Sequence, residues 1–297
     1  MTSRAADVIK KAGVFYTADV DISGLSTLGL TARAAYLAVP KSRRELVTLL
    51  CELNNCGIPH RVVGGMSNTM PSSEYYDGVL INIRNIGTKS LAEGSVCAEC
   101  GVRLSQLVSF LSQNNLGGFE QLYHIPGTLG GSVYGNAGAH GLEISDVLLS
   151  CELYDTRSDE IKRVRAAELG FSYRYSRLKR EPLVVLSCEL KAEEVSKEES
   201  RRRILHYADL RKNQPRGVRT LGSTFKRVGD VSAGYYIDKA GLKGFAVGGA
   251  EVSQVHAGFI INRGGATPRD VLTLIEIIKE RVYRTFAVEL EPEIEFL

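Results

Sequence analysis

The stretch His124-Ile-Pro-Gly-Thr-Leu-Gly-Gly-Ser-Val-Tyr-Gly-Asn-Ala-Gly-Ala-His-Gly-Leu-Glu-Ile-Ser-Asp146 decides how this chain is read. Six of its 23 residues are glycine: Gly127, Gly130, Gly131, Gly135, Gly138 and Gly141. Glycine reaches φ > 0 and lets a ligand come close to the backbone. Pro126 fixes φ and Thr128 adds a hydroxyl, so Ile125-Pro-Gly-Thr128 reads as a rigid turn whose amides can face an anion. The spacing fits neither the Rossmann nor the Walker glycine pattern. It is a phosphate-loop candidate of another kind, with an ordinary glycine-rich loop as the alternative.

Mixed α and β signals flank this window. Ser42 and Glu45 stand at capping-box spacing, and Leu46, Leu49, Leu50 and Leu53 recur on one helical face that Gly57 ends. His60 to Val63 reads as a strand running into Gly64-Gly-Met-Ser-Asn68, a second turn that puts several amides together. Further strands are expected over Asp77 to Ile83 and Ser95 to Gly101. A helix marked by Leu104, Leu107, Val108 and Leu111 is expected to run to Gly117-Gly118. Cys151 to Asp155 and Leu183 to Leu190 read as strands on either side of a charged segment that contains Phe171-Ser-Tyr-Arg-Tyr-Ser176. A capping box at Ser196 and Glu199 opens a helix whose Arg201-Arg-Arg203 run reads as a solvated face. Thr267-Pro-Arg-Asp270 starts a last helix with Pro in its first turn; Val271, Leu274, Ile275, Ile278 and Val282 form its buried stripe. A terminal strand over Leu290 to Leu297 follows.

The 297 residues suggest roughly two domains. A hydrophobic fraction of 44% and a charged fraction of 24% are those of a soluble globular protein. No apolar run approaches the ~20 residues of a membrane span, and the N-terminus lacks the pattern of a signal peptide. A cytoplasmic protein is expected. The net charge of +3 is too small to argue for nucleic acid, although it leaves room for a local cationic pocket. Six cysteines in a chain this long are not a disulfide scaffold. Cys97-Ala-Glu-Cys100 has no second pair to complete a zinc site, so strand packing is expected there and no metal.

The window Ile125 to Asp146 resembles the central motif of the UDP-N-acetylenolpyruvoylglucosamine reductases (MurB), FAD enzymes of peptidoglycan precursor synthesis, and the resemblance extends over nearly the whole chain. It implies an α+β protein. A two-part α/β FAD-binding domain of the vanillyl-alcohol-oxidase (PCMH-like) type would be followed by a smaller α+β substrate-binding domain. The expected bounds are residues 1–199, in two pieces of about 1–85 and 86–199, and residues 200–297. The flavin contacts implied are Gly64, Gly65, Met66, Ser67 and Asn68, with Pro126, Gly127, Thr128, Gly130, Gly131, Asn136, Ala137, Gly138 and Ile144. Met66 stands where the family has the third glycine, the central residue of Gly-Gly-Gly-Ser-Asn. Thr27, Gly29 and Thr31 keep the order of a further flavin segment, without its neighbouring Asn and Gly residues.

Three residues carry the implied chemistry. Arg174 matches the Arg of the family's Tyr-Arg-x-Ser motif, with Tyr175 in place of the more usual Asp. Ser223 matches the proton donor of Gly-Ser-x-Phe-Lys, followed by Arg227 rather than Asn. Glu293 matches the glutamate of the terminal Leu-Glu-Pro-Glu. Tyr173, Lys212, Lys226 and Arg227 are the implied substrate contacts; His256 stays outside the catalytic set, and Gly258 stands where Asn is common. The implied reaction reduces an enolpyruvyl ether to a lactyl ether through FAD that NADPH has reduced, with hydride delivered from flavin N5. Negative charge then develops beside the substrate carboxylate and needs partners already in place: Arg174, a protonated Glu293, and Ser223 to protonate the carbon. The compact segment between Arg174 and Ser223 resembles the family's shorter form, without a tyrosine-bearing lid. A monomer or weak dimer acting on a nucleotide sugar, with no nucleic-acid or membrane partner, is expected. The competing readings are another FAD oxidoreductase of the same architecture and a non-catalytic paralogue that binds FAD or a nucleotide sugar.

Overall fold

The computed structural model describes residues 2–297. The chain divides into two compact units. The first comprises Met1–Ala18, Tyr36–Gly65 and Gly78–Arg211; the second comprises Asp19–Ala35, Met66–Asp77 and Lys212–Leu297.

In the first unit the helix Arg43–Asn55 forms where the leucine spacing places it. The Ser42 hydroxyl accepts from the Glu45 amide at 3.2 Å, and Leu46, Leu49, Leu50 and Leu53 are all fully buried. Each such leucine contributes about 1.5–3 kcal/mol by leaving water, which outweighs the roughly 1 kcal/mol of the cap. The strand His60–Val63 pairs in parallel with Tyr75–Asn82, His60 opposite Val79. The order of that four-stranded sheet is Phe15–Asp21, Arg33–Val39, Tyr75–Asn82, His60–Val63.

A five-stranded antiparallel sheet follows, in the order Glu160–Arg165, Leu148–Asp155, Leu183–Lys191, Ser95–Glu99, Lys89–Ala92. Cys97 lies in the strand Ser95–Glu99, and Cys100 just beyond it is fully buried. Burial pushes the Cys100 thiol up to about 12, so it remains a protonated packing group. The helix Leu104–Gln113 buries its four predicted apolar residues but stops short of Gly117. Asn115 takes φ 55 and ends it, and Leu116–Gly117 then pairs with Glu193–Glu194. Asn tolerates this left-handed conformation better than most residues, so the stop comes before the glycines do.

In the second unit the antiparallel order is Arg219–Ser223, Phe259–Asn262, Ala250–Val252, Ala246–Val247. The helix Pro268–Phe286 has its N-cap at Thr267, whose hydroxyl accepts from the Asp270 amide at 3.2 Å. Its stripe Val271, Leu274, Ile275, Ile278 and Val282 joins one core with Leu28, Leu30, Met70, Ile237 and Ile260. The last residues are less regular than expected. Only Glu295–Phe296 is a strand, parallel to Thr69–Met70, while Pro292 makes an isolated bridge to Phe225. Proline has no amide to give a ladder, which shortens the strand. Among the described residues no helix is long and apolar enough to cross a membrane.

Candidate active site

The glycine window belongs to the first unit and is built around Thr128. This residue is buried, and its hydroxyl caps the helix Leu129–Tyr134 by accepting from the Gly131 amide at 3.4 Å. The Leu129 amide donates to the Val102 carbonyl at 2.8 Å, Gly130 to Cys100 at 2.9 Å and Ser132 to Thr128 at 2.9 Å. These amides are used within the protein, which leaves those of Gly127 and Thr128 in the preceding turn as the candidates for facing an anion, Pro126 having none.

That turn meets the Gly64-Gly65 turn at close range. A Cβ added to Gly64 would stand 2.2 Å from the Thr128 Oγ1, and one on Gly65 would stand 3.2 Å from the Gly127 Cα. Gly130 is equally constrained, since its Cβ would lie 3.1 Å from that of Cys100. The result is a cradle of two turns packed together without side chains at Gly64, Gly65 and Gly127, whose bare backbone suits the close approach of a diphosphate. The residues fit FAD in that respect.

The far half of the window supports Arg174. Asn136, fully buried with φ 45, donates to Glu143 Oε2 at 2.7 Å and to the Ser172 carbonyl at 3.0 Å, and accepts from the Ser145 amide at 3.3 Å. Ser172 and Tyr175 exchange backbone hydrogen bonds of 3.1 and 3.0 Å, which closes a tight turn with Tyr173 and Arg174 at its tip. Arg174 there takes φ 55, a conformation that costs a non-glycine residue of order 1 kcal/mol or more. Its Nη2 donates to the Gly138 carbonyl at 3.2 Å, and its guanidinium lies 5.3 Å from the Tyr173 ring. Ser176 is fully buried and donates to the Tyr134 carbonyl at 2.7 Å, anchoring the turn from below. Ala137 donates to the Ser132 carbonyl and accepts from Ile144, which is itself fully buried.

Sequence reasoning missed Arg211 here. The Arg211 guanidinium reaches the His124 carbonyl at the start of the window, and the His124 Nε2 in turn lies 3.2 Å from the Ile204 carbonyl. Burial and then the charge of Arg174 hold Arg211 below the usual arginine range. An arginine inside a charged helix end carries no local signal for this. His140, also on the window, stacks on Tyr207 with ring centres 5.3 Å apart.

The second unit gathers the other half of the candidate residues. Ser223 ends the strand Arg219–Ser223 with its side chain exposed. The amide of Glu293 donates to the carbonyl of the next residue, Thr224, at 2.8 Å, so Ser223 and Glu293 lie on adjoining backbone. Lys226 donates from its amide to the Glu291 carbonyl at 2.9 Å and pairs with the Glu291 carboxylate. Asn68 donates to the Glu293 carbonyl at 3.1 Å and accepts from the Glu295 amide at 2.8 Å. Asn68 is therefore tied to the C-terminal glutamate.

Met66 takes φ 43 and is buried, so its backbone adopts a conformation that a glycine adopts freely. Its carbonyl accepts from the Thr27 amide at 3.4 Å. The segment Thr27 to Thr31 is pinned further: the Thr27 hydroxyl donates to the Thr220 carbonyl at 2.7 Å, and Asn262 donates to the Leu28 and Gly29 carbonyls at 3.0 and 2.8 Å. His256 accepts the Gly258 amide on Nδ1 at 3.1 Å; a Cβ on Gly258 would stand 3.0 Å from its ring. Arg227 and Lys212 are exposed on this unit.

Residues 34–165 match the family description "FAD binding domain", and residues 214–297 match "UDP-N-acetylenolpyruvoylglucosamine reductase, C-terminal domain". The chain is 36% identical to the UDP-N-acetylenolpyruvoylglucosamine reductase of Caldicellulosiruptor bescii, over 97% of this chain and 93% of that one. It is 40% identical to the enzyme of the same description from Caldanaerobacter subterraneus subsp. tengcongensis, over 89% of this chain and 87% of that one. The crystal structure of the reductase (MurB) from Thermus caldophilus superposes with a TM-score of 0.79 at 31% identity, covering 95% of this chain and 98% of that one. The chain thus belongs to the UDP-N-acetylenolpyruvoylglucosamine reductase family of FAD-dependent oxidoreductases.

Proposed function

We propose that this protein reduces UDP-N-acetylenolpyruvoylglucosamine to UDP-N-acetylmuramate for peptidoglycan precursor synthesis, with NADPH as reductant. The observation that carries the reading is the tie between Glu293 and Thr224, which sets the candidate acid Ser223 beside the candidate glutamate on paired backbone. Gly64 to Asn68, Pro126 to Thr128, Gly130, Gly131, Asn136 to Gly138 and Ile144 would hold FAD non-covalently, and the flavin, once reduced by NADPH, would supply the hydride for the terminal vinyl carbon.

The residues of the chain do the rest. Arg174 presents a planar guanidinium that donates two parallel hydrogen bonds to a carboxylate, which a lysine does not do. Its turn, closed by the Ser172–Tyr175 hydrogen bonds, would offer that charge to the developing enolate with little reorganisation. Glu293 assists in its protonated form, since a second carboxylate would repel the growing negative charge. Ser223 delivers a proton to the carbon beside the carboxylate as a general acid. Tyr173, Lys212, Lys226 and Arg227 contact the nucleotide sugar. The domain bounds that accompany this assignment are residues 1–199 for FAD and 200–297 for substrate, and the protein acts in the cytoplasm as a monomer or weak dimer.

The test is anaerobic. The purified protein is reduced with NADPH and mixed with UDP-N-acetylenolpyruvoylglucosamine while the visible spectrum is followed. Bleaching by NADPH and return of oxidised flavin only with that substrate are expected. A colourless protein that takes up no FAD would overturn the reading, as would reoxidation that ignores the substrate.

A further inference from the structure

Arg84 lies just past the strand Tyr75–Asn82, and its amide donates to the Asn82 Oδ1 at 3.0 Å. Its Nη2 donates to the Gly65 carbonyl at 2.8 Å. Gly65 faces Gly127 across the cradle described above, and the same Nη2 lies 3.7 Å from the position a Gly65 Cβ would occupy. A second arginine, Arg103, bridges Thr128 through its backbone and starts the helix Leu104–Gln113. Two guanidinium-bearing residues thus attend the two turns that make the cradle, one on Gly65 and one on Thr128.

We propose that Arg84 is a positioning residue for the diphosphate of the flavin dinucleotide, and that Arg103 adds a second positive charge at the same cradle. The inference rests on the FAD reading above. Two physical effects support it. In a trans peptide the carbonyl and the next amide point to opposite sides. By holding the Gly65 carbonyl, Arg84 turns the amide that follows away from itself, and neutralises that carbonyl oxygen as a source of repulsion for an anion. The second effect is charge. Burial, and then the charge of Arg103, holds Arg84 below the usual arginine range. Like charges repel, and a diphosphate bound against the two turns relieves that repulsion. Where the family has a third glycine, this chain has Met66, so guanidinium charge supplements an amide turn of reduced freedom.

The experiment is a titration of apoprotein with FAD, read by quenching of flavin fluorescence, on the full chain and on the variants Arg84→Met, Arg84→Lys and Arg103→Met. A hydrogen bond from a charged group and its field make Arg84→Met weaken FAD binding about tenfold or more. Arg84→Lys restores part of the affinity, because it keeps the charge but not the planar fork. Arg103→Met, a change at an exposed side chain, weakens binding a few-fold (roughly threefold) and flattens its dependence on KCl. Both Met variants within about twofold of the unaltered protein would overturn the inference. If Arg84→Met does not fold, the same criterion applied to Arg84→Lys and Arg103→Met decides. Failure of the unaltered protein to take up FAD would instead sink the cofactor reading itself.

Discussion

Asn68 donates from Nδ2 to the carbonyl of Glu293 at 3.1 Å and accepts the amide of Glu295 at 2.8 Å. The two residues are 225 positions apart in the chain. One ends a turn read as cofactor-binding, and the other is the candidate glutamate. The backbone of that glutamate is therefore positioned by Asn68. Asn68→Ala removes the donor and is expected to slow flavin reoxidation by substrate about tenfold or more, the usual effect of a small displacement of a reacting group. Stopped-flow comparison of the two half-reactions checks this; equal losses in the NADPH and substrate steps would contradict it.

Ser223→Ala is expected to leave flavin reduction by NADPH intact. Reoxidation by the enolpyruvyl substrate should slow by about 10²–10⁴, the range of general-acid contributions. Solvent deuterium incorporation beside the carboxylate gives an independent reading. Unchanged rates in both half-reactions would remove Ser223 from the mechanism.

Arg174→Lys keeps a positive charge but loses the planar fork, so a fall of about 10² in the substrate half-reaction is expected. Asn136→Ala touches no reacting atom yet removes the hydrogen bonds to Glu143, Ser172 and Ser145. Leaving those groups unpaired in a buried place costs about 1–3 kcal/mol. Chemical denaturation measures that loss, and the same variant should also slow substrate reduction because the Arg174 turn loosens.

Gly64→Ala is expected to reduce FAD affinity and to destabilise the fold by about 1–3 kcal/mol, because its Cβ meets the Thr128 hydroxyl at 2.2 Å. Met66→Gly acts in two directions. It releases roughly 1 kcal/mol of left-handed strain but gives up a buried side chain worth about 1.5–3 kcal/mol, so melting temperature should fall while the loop becomes freer. Titration with FAD alongside thermal melting separates the two effects.

Burial lowers the basicity of His60 and His256 from the ordinary 6.5. The unfolded chain takes up protons at these residues below about pH 6.5, whereas the folded protein resists them. Stability is therefore expected to fall as pH drops from about 7 to 5. His60→Gln and His256→Gln should each flatten that part of the profile. The carboxylate of Asp270, held below 3.8 first by the Thr267 amide, acts only in a more acidic window. Urea midpoints across pH give the measurement, and an unchanged slope in the double variant would refute the assignment.

Local rules in the sequence determined the helices and most strands. Leu46, Leu49, Leu50 and Leu53 share one face because 3.6 residues make a turn, and Ser42, Ser196 and Thr267 cap helices because a free amide lies three residues on. The motif residues Arg174, Ser223 and Glu293 were also legible, but only through resemblance, since a Gly-Ser turn or a charged chain end looks ordinary by itself. The tertiary structure decided what holds them. That Asn136 supports the turn of Arg174, that Asn68 holds Glu293, and that Arg84 and Arg211 lie against the two glycine-rich turns are contacts between distant segments. Such pairings depend on the closing of long loops around a shared core, and no short-range pattern of spacing records which residues then meet.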